Sequence, residues 1–164
     1  MYSKSAWGGP VDPFILVAFP NKAVDKDSDP IVSLVIFEWK DEPLVGIPAP
    51  TDRDPFQKDY ICDEAAVTKG HCDKSDLGEF ILAPNATEKS GNLILTKAVH
   101  LKESQPINYP IKKTGYYCVG AVSKGVDFTA VVEFREAYGE LPATQIPKLP
   151  FYGGITILYA VVVV

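Results

Sequence analysis

Short clusters of apolar residues, each the length of a β-strand, recur along the chain between turn-forming residues. No long helical period alternates with them, so the pattern favours an all-β fold of the β-sandwich type over an α/β fold. An apolar content of 46% in 164 residues is enough to build the core that a sandwich requires. The clusters predict strands at residues 14–19, 31–39, 79–83, 92–101, 115–122 and 126–134.

The turn signals predict how these strands connect. The first two strands are predicted to form a hairpin closed by the long polar segment 21–30. Four prolines in residues 40–58 predict a surface excursion, because proline cannot donate a hydrogen bond to a sheet. Residues 123–125 predict a short turn before the last strand, with Gly125 at positive φ. One short helix is predicted at 63–70, where acidic residues come first, a lysine lies near the end and glycine follows.

The composition excludes several classes of function. With 16 basic and 21 acidic residues the net charge is −5, and no stretch concentrates lysine, so we expect no nucleic-acid partner. The motifs GxSxG, HExxH and GxGxxG and the Walker lysine are absent, and two histidines supply few general bases. We therefore expect no enzymatic activity and no cofactor.

Residues 25–29 have the D-x-D-x-D spacing that opens a calcium-binding loop. Pro30 stands where the loop requires glycine, and Ile36 stands where it requires glutamate. The sequence therefore excludes an EF-hand, and the segment is interpreted as a solvated hairpin tip without a bound metal ion.

Residues 151–164 carry no charged side chain and end on four valines. A helix of that length spans about 21 Å, less than the roughly 30 Å hydrocarbon layer of a bilayer. We interpret the segment as the truncated start of a first transmembrane helix; the alternative is a buried C-terminal strand. Residues 1–4 lack the apolar core of a signal peptide, so a signal is expected upstream of Met1. The predicted organisation is a sandwich at 1–134, a juxtamembrane stalk at 135–150 and the helix start at 151–164.

The three cysteines are Cys62, Cys72 and Cys118, an odd number that suggests a thiol partner outside the chain. A Cys62–Cys72 disulfide closes a loop of about 11 residues and contributes about 2.8 kcal/mol to stability, against about 4.2 kcal/mol for Cys62–Cys118. The alternatives are free buried thiols, or a zinc site formed by Cys62, His71 and Cys72 with Asp63. Adjacent residues rarely both point at one ion, so the sequence favours a disulfide.

Asn85, Ala86 and Thr87 form an N-x-T glycosylation sequon between two predicted strands. Such triplets are common by chance, so the sequon carries little weight alone. A sequon, a disulfide and a membrane anchor together predict a lumenal or extracellular domain.

Several segments carry a family resemblance. They are MYSKSAWGGPVDPF at 1–14, ICDEAAVTKGHC at 61–72, NLILTKA at 92–98, GYYCV at 115–119 and YGELPATQIPKLPFYGG at 138–154. The fourth segment is similar to a strand of GOLD (Golgi dynamics) domains, and the last looks like the approach to a first membrane helix. Over nearly its whole length the chain resembles the fungal branch of the Golgi seven-transmembrane proteins with a lumenal GOLD domain, the lung seven-transmembrane receptor family.

The resemblance implies a GOLD-like β-sandwich in the Golgi or endosomal lumen, followed by seven membrane helices. It also implies a cleaved signal peptide and a role in membrane trafficking, including endosome-to-Golgi retrieval. A further cysteine just ahead of Met1 is then expected to pair with Cys118, leaving Cys62 to pair with Cys72. The competing scheme pairs Cys62 with Cys118 and leaves Cys72 for a lumenal loop of the membrane domain. No catalytic residues follow from the resemblance.

Long loops on a rigid sandwich are where binding residues tend to lie. The candidate contacts for a protein partner are Trp7, Asp25, Asp27, Leu44, Ile47, Asp52 and Phe56. The alternative is that the apolar members cap the ends of the sandwich. Three functions fit the sequence: recognition of a cargo or partner protein, a structural lid on the protein's own membrane domain, or a receptor module for a soluble ligand.

Overall fold

The computed structural model describes residues 1–20, 29–51 and 54–162 of the chain. Within these residues the fold is mostly antiparallel β-structure with short helices between strands. The strands are β1 (Phe14–Ala18), β2 (Ile31–Glu38), β3 (Ile47–Pro48), β4 (Lys58–Asp59), β5 (Leu95–His100), β6 (Ile107–Pro110), β7 (Tyr117–Ser123) and β8 (Val131–Arg135). The α-helices are α1 (Lys4–Trp7), α2 (Glu64–Thr68), α3 (Ala86–Lys89) and α4 (Lys148–Val162).

Two three-stranded antiparallel sheets form the sandwich. One has the order β6-β1-β8 and the other the order β5-β2-β7. At the centre of the first, Leu16 lies opposite Asn108 and Glu133; at the centre of the second, Leu34 lies opposite Lys97 and Ala121. Both sheets contribute side chains to one buried core, which confirms the predicted all-β sandwich. Its members are Ile15, Val17, Phe19, Val32, Leu34, Ile36, Val99, Leu101, Ile107, Tyr109 and Ile111.

Strand β2 is buried on both of its faces. Val32, Leu34 and Ile36 point into the core between the sheets and are 0% exposed. Ser33 and Val35 point the other way, because side chains alternate along a strand, yet they are only 6% and 2% exposed. A strand covered on both faces is apolar without interruption rather than alternately polar, which explains the almost continuous apolar run of β2.

A third layer covers the outer face of the β5-β2-β7 sheet. We call residues 39–83 the outer layer; it contains a 3₁₀ helix at Trp39–Leu44, the β3–β4 pair, α2 and a second 3₁₀ turn at Lys74–Asp76. It contacts the sheet closely, since a Cβ added at Gly78 would lie 3.1 Å from Ile31 Cγ2.

The strand connections differ from the predicted ones. β1 and β2 do not form a hairpin: β1 pairs with β6 and β8, whereas β2 pairs with β5 and β7. The turn after β7 has the predicted positive φ at Gly125, 79°, but it leads to the other sheet rather than back along β7. From β5 onward successive strands alternate between the two sheets, whereas β2 and β5 pair with each other within one sheet.

Three further predictions were wrong in detail. Residues 79–83 make isolated bridges, Phe80 with Ile61 and Leu82 with Val45, rather than a strand of a main sheet. Strand β6 was missed because it is short and bounded by prolines. The prediction of a surface excursion at 40–58 holds for its four prolines, which are exposed, but not for Asp41 and Val45, which are 4% exposed.

The predicted short helix is present as α2, with Asp63 at its N-cap and Gly70 beyond its end at φ 74°. The expectation of a single short helix was wrong, since α1 and α3 each add one turn. Both are too short to show a helical period in the sequence.

The C-terminal part combines a packed segment with an exposed helix. Glu136, Ala137 and Ile146, in the predicted stalk, are buried against the domain at 4%, 0% and 0% exposure. Helix α4 follows and has no buried residues, which contradicts the alternative of a buried C-terminal strand. Among the described residues, no helix has both the length and the apolar character needed to cross a membrane.

The double burial of β2 predicts the cost of truncating it. Leu34→Ala should lower the free energy of unfolding by about 3 kcal/mol, because a fully buried leucine leaves a cavity between the sheets. Val131→Ala is the control, since Val131 is 53% exposed on β8 and the change should cost less than about 0.5 kcal/mol. Urea unfolding followed by circular dichroism measures both; equal losses would contradict this account of the core.

Candidate functional site

A disulfide joins Cys62 and Cys72, whose Cα atoms lie 6.0 Å apart. It fastens both ends of the segment that contains α2, and Cys62, Ala66 and Ile81 form a second small core around it. Cys118 is a free, half-buried thiol on β7, so the alternative Cys62–Cys118 pair is not formed. The sequence left Cys62–Cys72 and Cys62–Cys118 open as pairings, and the structure contains the first.

The residues of the zinc alternative have other partners. The Nδ1 atom of His71 lies 3.1 Å from an Asp59 carboxylate oxygen, and Asp63 caps α2 by accepting a hydrogen bond from the Ala66 amide at 2.9 Å. The two cysteine sulfurs are bonded to each other. Across the residues that the structure describes, no three His, Cys, Asp or Glu side chains are placed to hold a metal ion.

An apolar groove of about 600 Å³ lies between the outer layer and the outer face of the β5-β2-β7 sheet. Its floor is formed by β2 and β7, and its wall by outer-layer residues. Among the described residues Glu42 is the one charged member of its lining, and its carboxylate lies 3.6 Å from Lys58 Nζ. The lining residues are Val35, Phe37, Glu42, Val45, Tyr60, Ile61, Phe80, Gly120, Ala121 and Val122.

Two glycines allow the groove to form. A Cβ on Gly120 would lie 3.1 Å from Val35 Cγ1, a tight contact, and 4.0 Å from Phe80 Cζ, so the glycine leaves room for Val35 in the floor of the groove. Gly46 has φ 82°, and a Cβ there would lie 2.8 Å from the Tyr60 ring. A side chain at either position would displace an aromatic wall of the groove or the floor beneath it.

Of the predicted partner contacts, the structure describes the side chains of Leu44, Ile47 and Phe56. Leu44 and Ile47 are half-buried, and Ile47 packs against the disulfide core, which makes it a structural residue of the outer layer. Phe56 is 90% exposed, at a loop tip where the Asp54 carboxylate accepts a hydrogen bond from its amide at 2.9 Å. The side chain of Trp7 lies outside the described part of the structure, as do Asp25, Asp27 and Asp52.

Sequence reasoning missed the groove because its wall and floor come from distant segments. Phe80 and Val122 were both assigned to predicted strands, but nothing in the sequence indicated that these two strands would lie side by side and line one groove. One signal was available: Gly120 interrupts an otherwise apolar strand, and glycine inside a strand often marks a close approach by another group.

Buried carboxylates fix the start of the outer layer. Glu38, 7% exposed, accepts hydrogen bonds from Lys40 Nζ at 2.7 Å and from the Asn92 side-chain amide. Asp41, 4% exposed, accepts from the Ser90 hydroxyl at 2.6 Å. These polar groups are satisfied by one another, so the cluster joins the outer layer to the segment before β5.

The buried tyrosines near this cluster are hydrogen-bond donors. Burial raises the pKa of Tyr117 to about 12 and also raises the pKa of Tyr109 above its ordinary value. Their hydroxyls donate to the carbonyl oxygens of Lys113 and Leu93, at 2.7 and 2.5 Å. Both phenols therefore stay protonated at neutral pH and act as structural groups.

The sequon lies on the surface. Asn85 is exposed at the N-cap of α3, with φ 60°, and Thr87 is exposed within the helix. An asparagine tolerates this left-handed backbone better than most residues, which suits it to the corner before a short helix. The side-chain amide is therefore accessible for modification.

Comparison with known proteins assigns the sandwich to a family. The sequence matches the family described as PTM1-like, N-terminal domain, over residues 1–136. The chain therefore belongs to the PTM1-like family. No solved structure matches the chain.

The chain is similar in sequence to membrane proteins of two yeasts. The chain is 37% identical to membrane protein PTM1 of Saccharomyces cerevisiae (strain YJM789) over 171 residues, covering 98% of this chain and 32% of that protein. It is 35% identical to an uncharacterized membrane protein of Schizosaccharomyces pombe over 164 residues, covering 99% of this chain and 34% of that protein. The chain thus spans about a third of the length of these relatives. Neither name states an enzymatic activity.

The stability of the outer layer is expected to depend on pH through the Asp59 carboxylate. Lys69 Nζ lies 2.8 Å from its carboxylate and, as the largest influence, holds the pKa of Asp59 below its usual range, with His71 adding to the effect. A carboxylate with a lowered pKa stabilises the fold above its unfolded-state pKa of about 3.9 and loses that contribution as the pH falls through the folded-state value.

Asp59→Asn should therefore destabilise the protein at neutral pH, and the difference from the native protein should shrink below about pH 4. Lys69→Gln should raise the pKa of Asp59 and move the loss of stability to higher pH. Urea midpoints between about pH 6 and pH 2.5 measure both effects. Stability curves of the native protein and Asp59→Asn that run parallel over this range would contradict the assignment.

Proposed function

We propose that this chain is the lumenal domain of a Golgi or endosomal membrane protein and that it recognises a partner or cargo protein during membrane trafficking. The observation that carries the recognition is the apolar groove beside the disulfide-bonded outer layer. A groove with one charged lining residue is open to solvent in the described structure, and exposed apolar concavities mark binding sites on most proteins.

The lumenal location is supported by a disulfide and by an exposed sequon. The Cys62–Cys72 disulfide belongs to an oxidising compartment. The exposed Asn85 sequon can be reached by a glycosyltransferase in the same compartment. The GOLD-type classification and the trafficking role come from the resemblance to the Golgi seven-transmembrane proteins.

The membrane part of the proposal is supported at the C-terminus and by the relatives. Helix α4 exposes apolar side chains along its described length, with Ile157, Leu158 and Val162 at 68%, 63% and 74%. Two relatives are named as membrane proteins and are about three times as long as this chain. We propose a seven-helix membrane domain beyond the sandwich, a signal peptide ahead of Met1, and an upstream cysteine as the partner of Cys118.

A second function, a lid that regulates the protein's own membrane domain, is favoured by one observation. Glu136, Ala137 and Ile146 are buried in the segment just before α4, and the Val11 amide donates to the Ala137 carbonyl at 3.3 Å. The amide of Tyr2 donates to the Glu136 carboxylate at 2.9 Å, so this segment is held by the N-terminal end of the domain. A conformational change in the sandwich would therefore be transmitted to α4 through this buried segment.

The full-length protein in cell membranes tests both functions. A photoreactive amino acid at Val122, on the rim of the groove, should form a cross-link to another protein. The matched control is Val131, which has similar exposure on an edge strand of the other sheet, 53% against 46% for Val122, and should not cross-link. Glycosidase should shift the mobility of the free and cross-linked species, and Asn85→Gln should abolish that shift.

Each of the other possible results would contradict one part of the proposal. A cross-link within the same chain would replace partner recognition by the lid function. Equal cross-linking from Val122 and Val131 would remove the groove as the site. Absence of a glycan on the native protein, with Cys62 and Cys72 as free thiols, would exclude the lumenal location.

A further inference from the structure

Strand β7 has an open edge beside the groove. It is the last strand in the order β5-β2-β7, and within the described residues its sheet hydrogen bonds all run to β2. An edge strand directs alternate N–H and C=O groups away from its neighbour, where a further strand can bind them. On the side of β2, the Trp39 amide donates to the Tyr116 carbonyl at 2.7 Å, and just beyond the strand Lys124 Nζ lies 2.8 Å from an Asp63 carboxylate oxygen.

The open edge and the groove are adjacent. Gly120 and Val122 of β7 belong to the groove lining, and Val122 is 46% exposed. Side chains of a strand alternate between the two faces of its sheet. A strand added beside β7 would therefore direct every second side chain toward the face that holds the groove, next to Tyr60 and Phe80.

We propose that the groove binds an extended segment of a partner protein, with apolar residues at alternate positions, which adds as a fourth strand beside β7. This inference rests on the proposed function and specifies the class of partner. The segment's backbone satisfies the open edge, and its side chains fill the apolar groove. A small apolar molecule would fill the groove but leave the backbone groups of β7 without partners.

A second copy of this chain fits the groove less well. Pairing two β7 strands edge to edge would present the outer-facing residues of one copy to the groove of the other. Those residues are Cys118, Gly120 and Val122, and the central one has no side chain.

The test uses the full-length protein in lipid nanodiscs and a fluorescent synthetic peptide of alternating threonine and valine with a lysine at each end. We expect saturable binding by fluorescence anisotropy. Val122→Lys should weaken it by about tenfold or more, because a charge enters the apolar rim. Val131→Lys, on the opposite face of the sandwich, should change it by less than about twofold.

A second peptide with N-methyl groups on alternate residues tests the backbone pairing. It keeps the side chains but cannot donate the strand hydrogen bonds, so its affinity should fall by about tenfold or more. Equal affinity of the two peptides, an unchanged affinity in Val122→Lys, or no saturable binding would each overturn strand addition. If the cross-link from Val122 to a partner persists in that case, partner recognition stands and only the extended-segment mode is lost.

Discussion

The burial of β2 on both faces is the constraint on which the rest of the structure depends. Its inner side chains need the opposite sheet, and its outer side chains need a second cover, because apolar surface left in water costs about 25 cal/mol per Å². A two-layer sandwich would leave Val35 exposed, yet Val35 is 2% exposed. The outer layer completes that burial. The groove is the part of the outer face of the β5-β2-β7 sheet that the outer layer leaves open.

The outer layer has little regular structure of its own. Its strands have two residues each and α2 has five, lengths at which neither element is stable alone. The Cys62–Cys72 disulfide and a few backbone hydrogen bonds, such as the Ile81 amide to the Tyr60 carbonyl at 2.8 Å, hold it together. The positions of Tyr60 and Phe80, and so the width of the groove, therefore depend on the disulfide.

Local features of the fold were predictable, and its long-range pairing was not. The apolar clusters located β1, β2, β5 and β7, and the cap at Asp63 located α2, because these signals lie within a few residues. The hairpin between β1 and β2 was wrong because neighbours in sequence need not be neighbours in a sheet. The groove depends on that pairing, so Gly120 alone could not reveal it. The almost continuous apolar run of β2, interrupted by Ser33, was the one sign of a covered outer face.

Amide hydrogen exchange before and after mild reduction tests the central claim most directly. The amides of Cys62, Gly78 and Ile81 donate to backbone carbonyls at 2.9, 2.8 and 2.8 Å within the outer layer. On reduction, the account predicts that these amides lose protection, while those of Ile15 and Leu34 in the sandwich keep it, because the disulfide holds only the outer layer. Loss of protection throughout both sheets, or no change in the outer layer, would contradict this account.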